Sequence, residues 1–477
     1  MKVVISFICL LWLVVGPLQA GQRIIQIGGG NRIDNSQGQI EDNVIWLSKI
    51  LKKSSNNVAN FFAAGDGGVK DVSLYGDLRE GSPMEVLARV FDGGDASRLL
   101  FKSNDVPELS GSMRKDEIVN SLSALLDGVE SGQDILLIYN GHGGNDDDDV
   151  RLNTLKIWGD ERLTVPEMDE ILDHAPGDAT VRFVFPQCYS GAFYHLIFED
   201  PYSDKLSAQT RCGFFSESAY EQSEGCALST NKDEYRDYST YFFAPLNGET
   251  RSGGALPLSA DMNQDGVVSY RESHLYALMV GESKDLSRSS SEMYLESWVP
   301  WYLRWESSAE NRDSEYWKIA EYVAQKHALS MDGKVLGKTK QRVQGSIDSV
   351  VMRQKEHLEK IAELSSVIKE EIVLKWPEVL HPYTQSYIDL IKVSLQEIAA
   401  DVGRLPAYAE LVGLQDDLAR LNQEELNLQR DKAQIDKILR LKNLARLEKQ
   451  FERFAGGREK QSYRRLLDCE KGAFFRL

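Results

Sequence analysis

Two stretches decide how this chain folds: Asp134-Ile-Leu-Leu-Ile-Tyr139, running into Asn140-Gly141-His142-Gly143-Gly144, and Thr180-Val-Arg-Phe-Val-Phe185, running into Pro186-Gln187-Cys188-Tyr189-Ser190-Gly191. Each is a short apolar run rich in β-branched and aromatic residues and closed by turn residues, which is the pattern of a buried strand rather than a helix. Between them, Asn153 to Trp158 reads as another short strand, and Leu163 to Asp173 as a helix capped by Thr164 with Pro166 in its first turn. A helix linking two strands predicts a βαβ unit, so the two strands run parallel. Ligands of such sheets sit beyond the carboxyl ends of the strands, where both His142 and Cys188 fall.

The chemistry suits that position. A thiol becomes a strong nucleophile when an imidazole beside it holds or takes its proton. Gly141, Gly143 and Gly144 let backbone N–H groups approach a developing oxyanion closely. Taken singly, a histidine in a glycine-rich loop or a cysteine at a strand end is more often structural. Together and in this order, they resemble the caspase and legumain group of cysteine peptidases, clan CD. His142 precedes Cys188 by 46 positions, against the roughly 50 expected of caspases. The resemblance covers about Gln22 to Gly281. It implies an α/β fold with a caspase-like, mostly parallel sheet sandwiched by helices, with His142 and Cys188 as dyad and the N–H groups of Gly143 and Cys188 as oxyanion hole. Gln187-Cys188-Tyr189-Ser190-Gly191 is neither the caspase Q-A-C-R-G run nor the usual legumain run, so subfamily and specificity stay open.

Composition places the chain in a compartment. Met1 to Ala20 holds Lys2, an apolar run from Val3 to Val15 broken only by Ser6, and Gly16-Pro17-Leu18-Gln19-Ala20. That is the pattern of a secretory signal peptide, which implies a secreted or periplasmic protein with no membrane span after its removal. Losing Lys2 takes the net charge from −18 to −19 (54 Lys and Arg against 73 Asp and Glu). Such acidity argues against a nucleic-acid partner. The mature cysteines are Cys188, Cys212, Cys226 and Cys469. Cys212 and Cys226 bracket a short segment, and a disulfide between them would leave Cys188 free; the sequence leaves that pairing open.

Further out, Arg23 to Gly28 reads as the first strand, opening into Gly29-Gly30-Asn31 without a dinucleotide or P-loop motif. Asn43 to Lys52 is expected as a helix, Val69 to Tyr75 as a second strand, Gly93-Gly94 as a loop and Asp116 to Val129 as a helix. By the resemblance, Asn31 to Gln39 lies beside the specificity pocket, with Arg32 a contributor. Arg211 to Ser218 is expected as a strand after Cys188, and the resemblance points to Ser216, Glu217, Ser218 and Glu224 as pocket walls. A carboxylate at the pocket base would select Arg or Lys, and balanced charges would allow Asn. Asp146 to Asp149, just past His142, is an acidic run whose default reading is a solvated loop and whose alternative is a lure for basic substrate or metal.

Asp261-Met-Asn263-Gln-Asp265-Gly266-Val267-Val268-Ser269-Tyr-Arg-Glu272 matches a calcium-binding EF-hand loop position by position. Ligands would come from Asp261, Asn263, Asp265, the Val267 carbonyl, Ser269 and Glu272, with His274 to Met279 as the helix that follows. Gly253, Gly254 and Pro257 forbid a helix before it, so the expectation is a structural calcium site rather than a complete EF-hand. From about Ser307 onward Leu, Glu, Gln, Lys and Arg dominate, and Leu414, Leu421, Leu428 and Ile435 recur at seven-residue steps. Pro377, Pro382 and Pro406 divide the tail into three or four helices, with Gly456-Gly457 ending the longest.

The expectation is therefore a signal peptide (1–20), a caspase/legumain-like catalytic domain (21–300) and an α-helical bundle or coiled coil (301–477). Its activity would be that of an exported cysteine endopeptidase acting on a protein or peptide substrate. The tail would serve autoinhibition, self-association or docking. The rivals are an inactive scaffold of the same fold, or a transpeptidase or amidase using the same dyad.

Overall fold

A computed structural model describes residues 22–55, 57–76, 81–91, 98–300, 310–382 and 384–474. The signal-peptide stretch and the Gly93-Gly94 loop lie outside these residues. The chain opens with β1 (Arg23–Gly29), α1 (Gly38–Ser54) and β2 (Val58–Phe62). An excursion follows, in which β3 (Val72–Tyr75) and β4 (Leu99–Lys102) pair antiparallel around α2 (Pro83–Phe91). β5 (Leu109–Gly111) and α3 (Lys115–Asp127) lead to β6 (Asp134–Gly141), the strand before His142. β7 (Gly143–Gly144), β8 (Thr154–Ile157) and β9 (Glu161–Thr164) form a small antiparallel sheet, and α4 (Val165–Leu172) then feeds β10 (Thr180–Phe185), the strand before Cys188. β11 (Thr210–Phe215), α5 (Tyr238–Asn247), α6 (Tyr270–Val280), β12 (Arg288–Ser289) and α7 (Ser290–Ser297) complete the α/β part.

The seven-stranded sheet runs β12-β11-β10-β6-β1-β2-β5, parallel except where β12 meets β11. Strand alternation gives it two apolar faces. Ile135, Leu137, Tyr139, Phe183 and Phe185 face one core, closed by Ile118, Leu122 and Leu126 of α3 and Met168 and Ile171 of α4. Leu136, Ile138, Val184 and Phe214 face the other, closed by α1, α5 and α6. The α4 expectation holds in detail, since Thr164 and Glu167 form a reciprocal capping box with Pro166 in the first turn.

Val69 to Tyr75, expected as the second strand of the main sheet, is not in it; Val58–Phe62 takes that place. Asn60 hides the correct run by interrupting it. Its side chain is buried against Gln26 Nε2 at 3.4 Å and donates to the Pro107 carbonyl at 3.2 Å, so a polar residue sits in a fully covered strand. The strand after Cys188 ends at Phe215, and Ser216 to Ser218 already belong to the turn.

The tail is helical as expected: α8 (Glu315–Lys326), α9 (Gly333–Lys375), α10 (Gln385–Gly403), α11 (Pro406–Phe454) and α12 (Gly457–Glu470). The two longest, of 43 and 49 residues, run antiparallel over about 65–74 Å, as the pairs Lys340–Asp436, Arg353–Glu424 and Lys360–Glu410 require. Of the heptad positions, Leu421 and Ile435 are buried and Leu414 and Leu428 half-buried. At the base of this arm, Ile435 to Phe451 pack with α6, α7 and α8. At its tip, Ile368, Ile398, Val402 and Leu411 pack with Leu87 and Val90 of α2. Among the described residues no helix is long and apolar enough to cross a membrane.

The last helix returns to the sheet. Cys212 is bonded to Cys469, 257 residues away, and not to Cys226, which is a free thiol. The contemplated Cys212–Cys226 pairing is thus corrected: Cys212 lies on β11 where α12 docks, and sequence proximity carries no trace of that return. Arg465 donates to the carbonyls of Ser207 (2.8 Å) and Gln209 (2.6 Å), and Arg182 Nε to that of Cys469 at 2.8 Å.

Candidate active site

β6 and β10 are adjacent, with Ile138 opposite Val184. His142 and Cys188 each follow four residues past that pair, so the register delivers both to one sheet edge. The contact is direct at the backbone: a Cβ added to Gly143 would lie 1.9 Å from the Cys188 carbonyl oxygen and 2.9 Å from its carbon. The N–H of Lys156 donates to the His142 carbonyl at 2.8 Å, so the antiparallel alternation turns the Gly143 N–H out of the β7–β8 ladder. Tyr139 fixes the loop from below, its buried hydroxyl sharing one proton between the carbonyls of Lys156 (2.6 Å) and His142 (2.9 Å).

The imidazole is held on one side. His142 Nε2 meets the Asn35 carbonyl at 2.7 Å and Gln37 Oε1 at 2.9 Å, a geometry that places the proton on Nε2 and leaves Nδ1 as the basic nitrogen. Burial pushes the His142 pKa down, Lys156 adds to the effect, and the Asn35 carbonyl opposes it. Burial thus favours the neutral form of the ring. The Asn31 to Gln39 stretch thus adjoins the site through Asn35 and Gln37. Arg32 itself is solvent-exposed and paired with Asp34 at 3.1 Å.

Cys188 is half-buried. Its Sγ lies 3.7 Å from the Ser223 hydroxyl and 3.8 Å from the Ser223 carbonyl, rather than bonded to His142. Tyr189 sits in the left-handed region at φ 59°, ψ 19°, which costs a non-glycine residue on the order of 1 kcal/mol or more. Surrounding bonds hold it there: the Tyr189 N–H donates to the Glu221 carbonyl at 2.9 Å, and the Ser216 hydroxyl to the Gln187 carbonyl at 3.0 Å. A strained turn of this kind aims the residue before it out of the sheet.

The expected pocket residues ring this turn. Ser216 and Glu217 are buried, at 0% and 4% exposure, and brace the turn from behind. The Glu217 carboxylate accepts from the N–H groups of Ser218 (2.7 Å) and Leu286 (2.8 Å), while burial pushes its pKa up. Ser218 is half-buried and accepts from the Tyr220 N–H at 3.3 Å. Glu224, next to Ser223, is gripped by Arg430 of α11, with Nε to Oε2 at 3.2 Å, and accepts from the Lys284 N–H at 3.0 Å. Arg430 escaped sequence reading because nothing in a heptad pattern marks one arginine as reaching Glu224, 206 residues earlier in the chain. The Asn35 carbonyl escaped it because backbone leaves no residue signature.

The acidic run folds on itself. Asp146 accepts from the N–H groups of Asp148 and Asp149, each at 3.0 Å, and Asp149 pairs with Arg151 at 2.8 Å. In the calcium-type loop, Asp261 accepts from the N–H groups of Asp265 (3.2 Å) and Gly266 (3.0 Å), and Gly266 supplies the turn at φ 88°. Asn263 and Asp265 each accept a backbone N–H two residues on. Ser269 and Glu272 form a capping box at the start of α6. No helix lies between Asn247 and Tyr270, as expected. Among the described residues no three His, Cys, Asp or Glu side chains converge as a metal centre.

Fold and site together define an α/β protein whose parallel sheet brings a histidine loop and a cysteine turn to one carboxyl edge. No protein-family model matches the chain, and no curated protein does. Among solved structures, that of protein GSU0716 from Geobacter sulfurreducens aligns with 47% of this chain and 80% of its own length, at 10% identity and a TM-score of 0.28. A likeness that weak carries no argument about fold or function.

Proposed function

We propose that this is an exported cysteine endopeptidase of caspase-like fold, with His142 and Cys188 as its dyad. The observation that carries the reading is the register of β6 and β10, which puts the loops bearing these two residues in backbone contact. His142 Nδ1 takes the thiol proton as Cys188 Sγ attacks the scissile carbonyl, and the Gly143 N–H, free of the ladder, faces the oxyanion. The imidazolium then protonates the leaving amine, forming a thioester. Water, giving a proton to His142, cleaves the thioester and restores the thiol. Peptide-library digestion by wild type and Cys188→Ala tests this; cleavage that survives the substitution removes the mechanism. The contact of Cys188 Sγ with Ser223 favours a second reading, an inactive scaffold, in which Cys188 would not react with thiol-directed peptide inhibitors.

The Asp261 to Glu272 loop is proposed as a structural calcium site. Its support is the arrangement of Asp261, Asn263 and Asp265 around the Gly266 turn. The Val267 carbonyl, Ser269 and Glu272 would complete the oxygen set, with Glu272 giving up part of its capping role.

A further inference from the structure

The Cys188 turn is strained, and it is held by a segment with no regular structure of its own. The Glu221 carbonyl keeps Tyr189 in the left-handed region, and the one Ser223 hydroxyl proton lies between the Pro186 carbonyl (3.2 Å) and Cys188 Sγ (3.7 Å). Glu221 and Gln222 are exposed, so residues 221–224 need an anchor. Glu224 supplies it. Its N–H donates to Asp285 Oδ1 at 2.6 Å, and its carboxylate accepts from the Lys284 N–H at 3.0 Å and from Arg430 Nε at 3.2 Å.

Each of these bonds leads to α11. Arg430 lies on that helix, while Lys284 and Asp285 belong to the 281–287 loop, which α11 grips through a polar stripe at helical spacing. Gln434 donates to the Ser283 carbonyl (3.4 Å), Lys437 to that of Gly281 (3.0 Å) and Arg440 to that of Ser287 (3.0 Å). The same loop braces the other side of the turn. The Leu286 N–H donates to the Glu217 carboxylate at 2.8 Å, and the Glu217 N–H to the hydroxyl of Ser190, two residues past Cys188, at 3.2 Å. Gln434 and Lys437 are buried beside Ile435, Ile438 and Leu441. Those apolar neighbours alone would seat the helix, because burial is non-directional; bonds to carbonyls add a fixed register. A helix that only covered a site would have no use for one.

We propose that Arg430 is a positioning residue of the peptidase site. Acting through Glu224 and Ser223, it holds the Cys188 turn in place, so α11 is a standing part of the working enzyme rather than an inhibitory cover. Arginine suits the role because its planar fork takes both Glu224 oxygens, Nε on Oε2 and an η nitrogen on Oε1, as a lysine ammonium would not. This role rests on the peptidase reading, and its sign is opposite to autoinhibition: loosening the arm lowers activity.

The test measures kcat and KM on a peptide that wild type cleaves, together with Cys188 alkylation by iodoacetamide and thermal unfolding, all on the full secreted chain. Arg430→Gln should lower kcat about 10- to 100-fold, as for a reacting group misplaced by about 1 Å, with KM within about threefold of wild type. Arg430→Lys should recover part of that loss. Glu224→Gln should lower kcat as far as Arg430→Gln does, and the double variant should lose no more than either alone, since both break one link. Alkylation should slow in the same order. Unchanged kcat in a folded Arg430→Gln overturns the proposal, and so does a raised kcat, which would make the arm a cover. Should Arg430→Gln not fold, Glu224→Gln and Arg430→Lys are judged by the same kcat criterion. If wild type cleaves no peptide, the peptidase reading fails by itself; alkylation then decides, and equal rates in wild type and Arg430→Gln overturn the positioning role as well.

Discussion

Gly143→Ala isolates the contact on which the proposed dyad depends. The added Cβ would lie 1.9 Å from the Cys188 carbonyl oxygen and 3.1 Å from Gln187 Cγ. An ordinary C···O approach is about 3.3 Å, so one loop must retreat by about 1.4 Å. The obstacle is backbone, not the end of a flexible side chain. Overpacking of this kind costs about 1–3 kcal/mol, which a domain of ordinary stability survives. Reacting groups displaced by about 1 Å lose on the order of 10²-fold in rate. Two measurements on one preparation separate these effects: urea unfolding, and the rates of peptide cleavage and of Cys188 alkylation by iodoacetamide. The expected outcome is a folded protein, a modest drop in urea midpoint, and cleavage and alkylation both slowed by about 100-fold. A variant that cleaves within about threefold of wild type would refute the claim that this backbone contact sets the dyad geometry.

The lowered pKa of His142 predicts that the acid limb of kcat/KM falls below the ordinary histidine value of about 6.5, since the ring must be neutral to accept the thiol proton. The linkage has the same sign: the unfolded chain takes up that proton near 6.5 and the folded chain only below it, so His142 costs stability as pH falls through that window, measurable by urea unfolding between pH 7 and 5. Replacing the Cys212–Cys469 pair by alanines should cost on the order of 5 kcal/mol from its 257-residue separation in the chain-entropy estimate; a loss under about 1 kcal/mol would mean that the bond does not constrain the unfolded chain. For calcium, wild type should gain several degrees in Tm over a chelated sample and Asp261→Ala should not; identical melting with and without chelator removes the site.

Much of the fold was legible because it is written in local apolar periodicity. β6, β10, the capped helix α4 and the proline-delimited tail all appear where short apolar runs, a threonine cap with proline in the first turn, and proline breaks announce them. β2 was missed because Asn60 is polar in a strand covered on both faces, so the alternation that marks strands was absent. That a histidine loop and a cysteine turn reach one sheet edge could be read from residue type and order. Their supports could not, because the Asn35 carbonyl, the strained Tyr189 backbone and the grip of Arg430 on Glu224 depend on tertiary placement. Cys212 carried no local hint of Cys469, since the pairing requires the chain to travel out along the arm and come home.

The arm behaves as a beam clamped at both ends. Its root is packed between α6, α7 and α8, its far end is seated on α2, and Arg430 ties its middle to Glu224. A beam so fixed cannot swing on a single hinge. Releasing the surface beneath it requires prising off the small α2 seat or severing the helices, and a cut anywhere between Cys212 and Cys469 leaves two pieces still covalently joined. A nicked molecule would therefore run as two bands in reducing gels and as one in their absence.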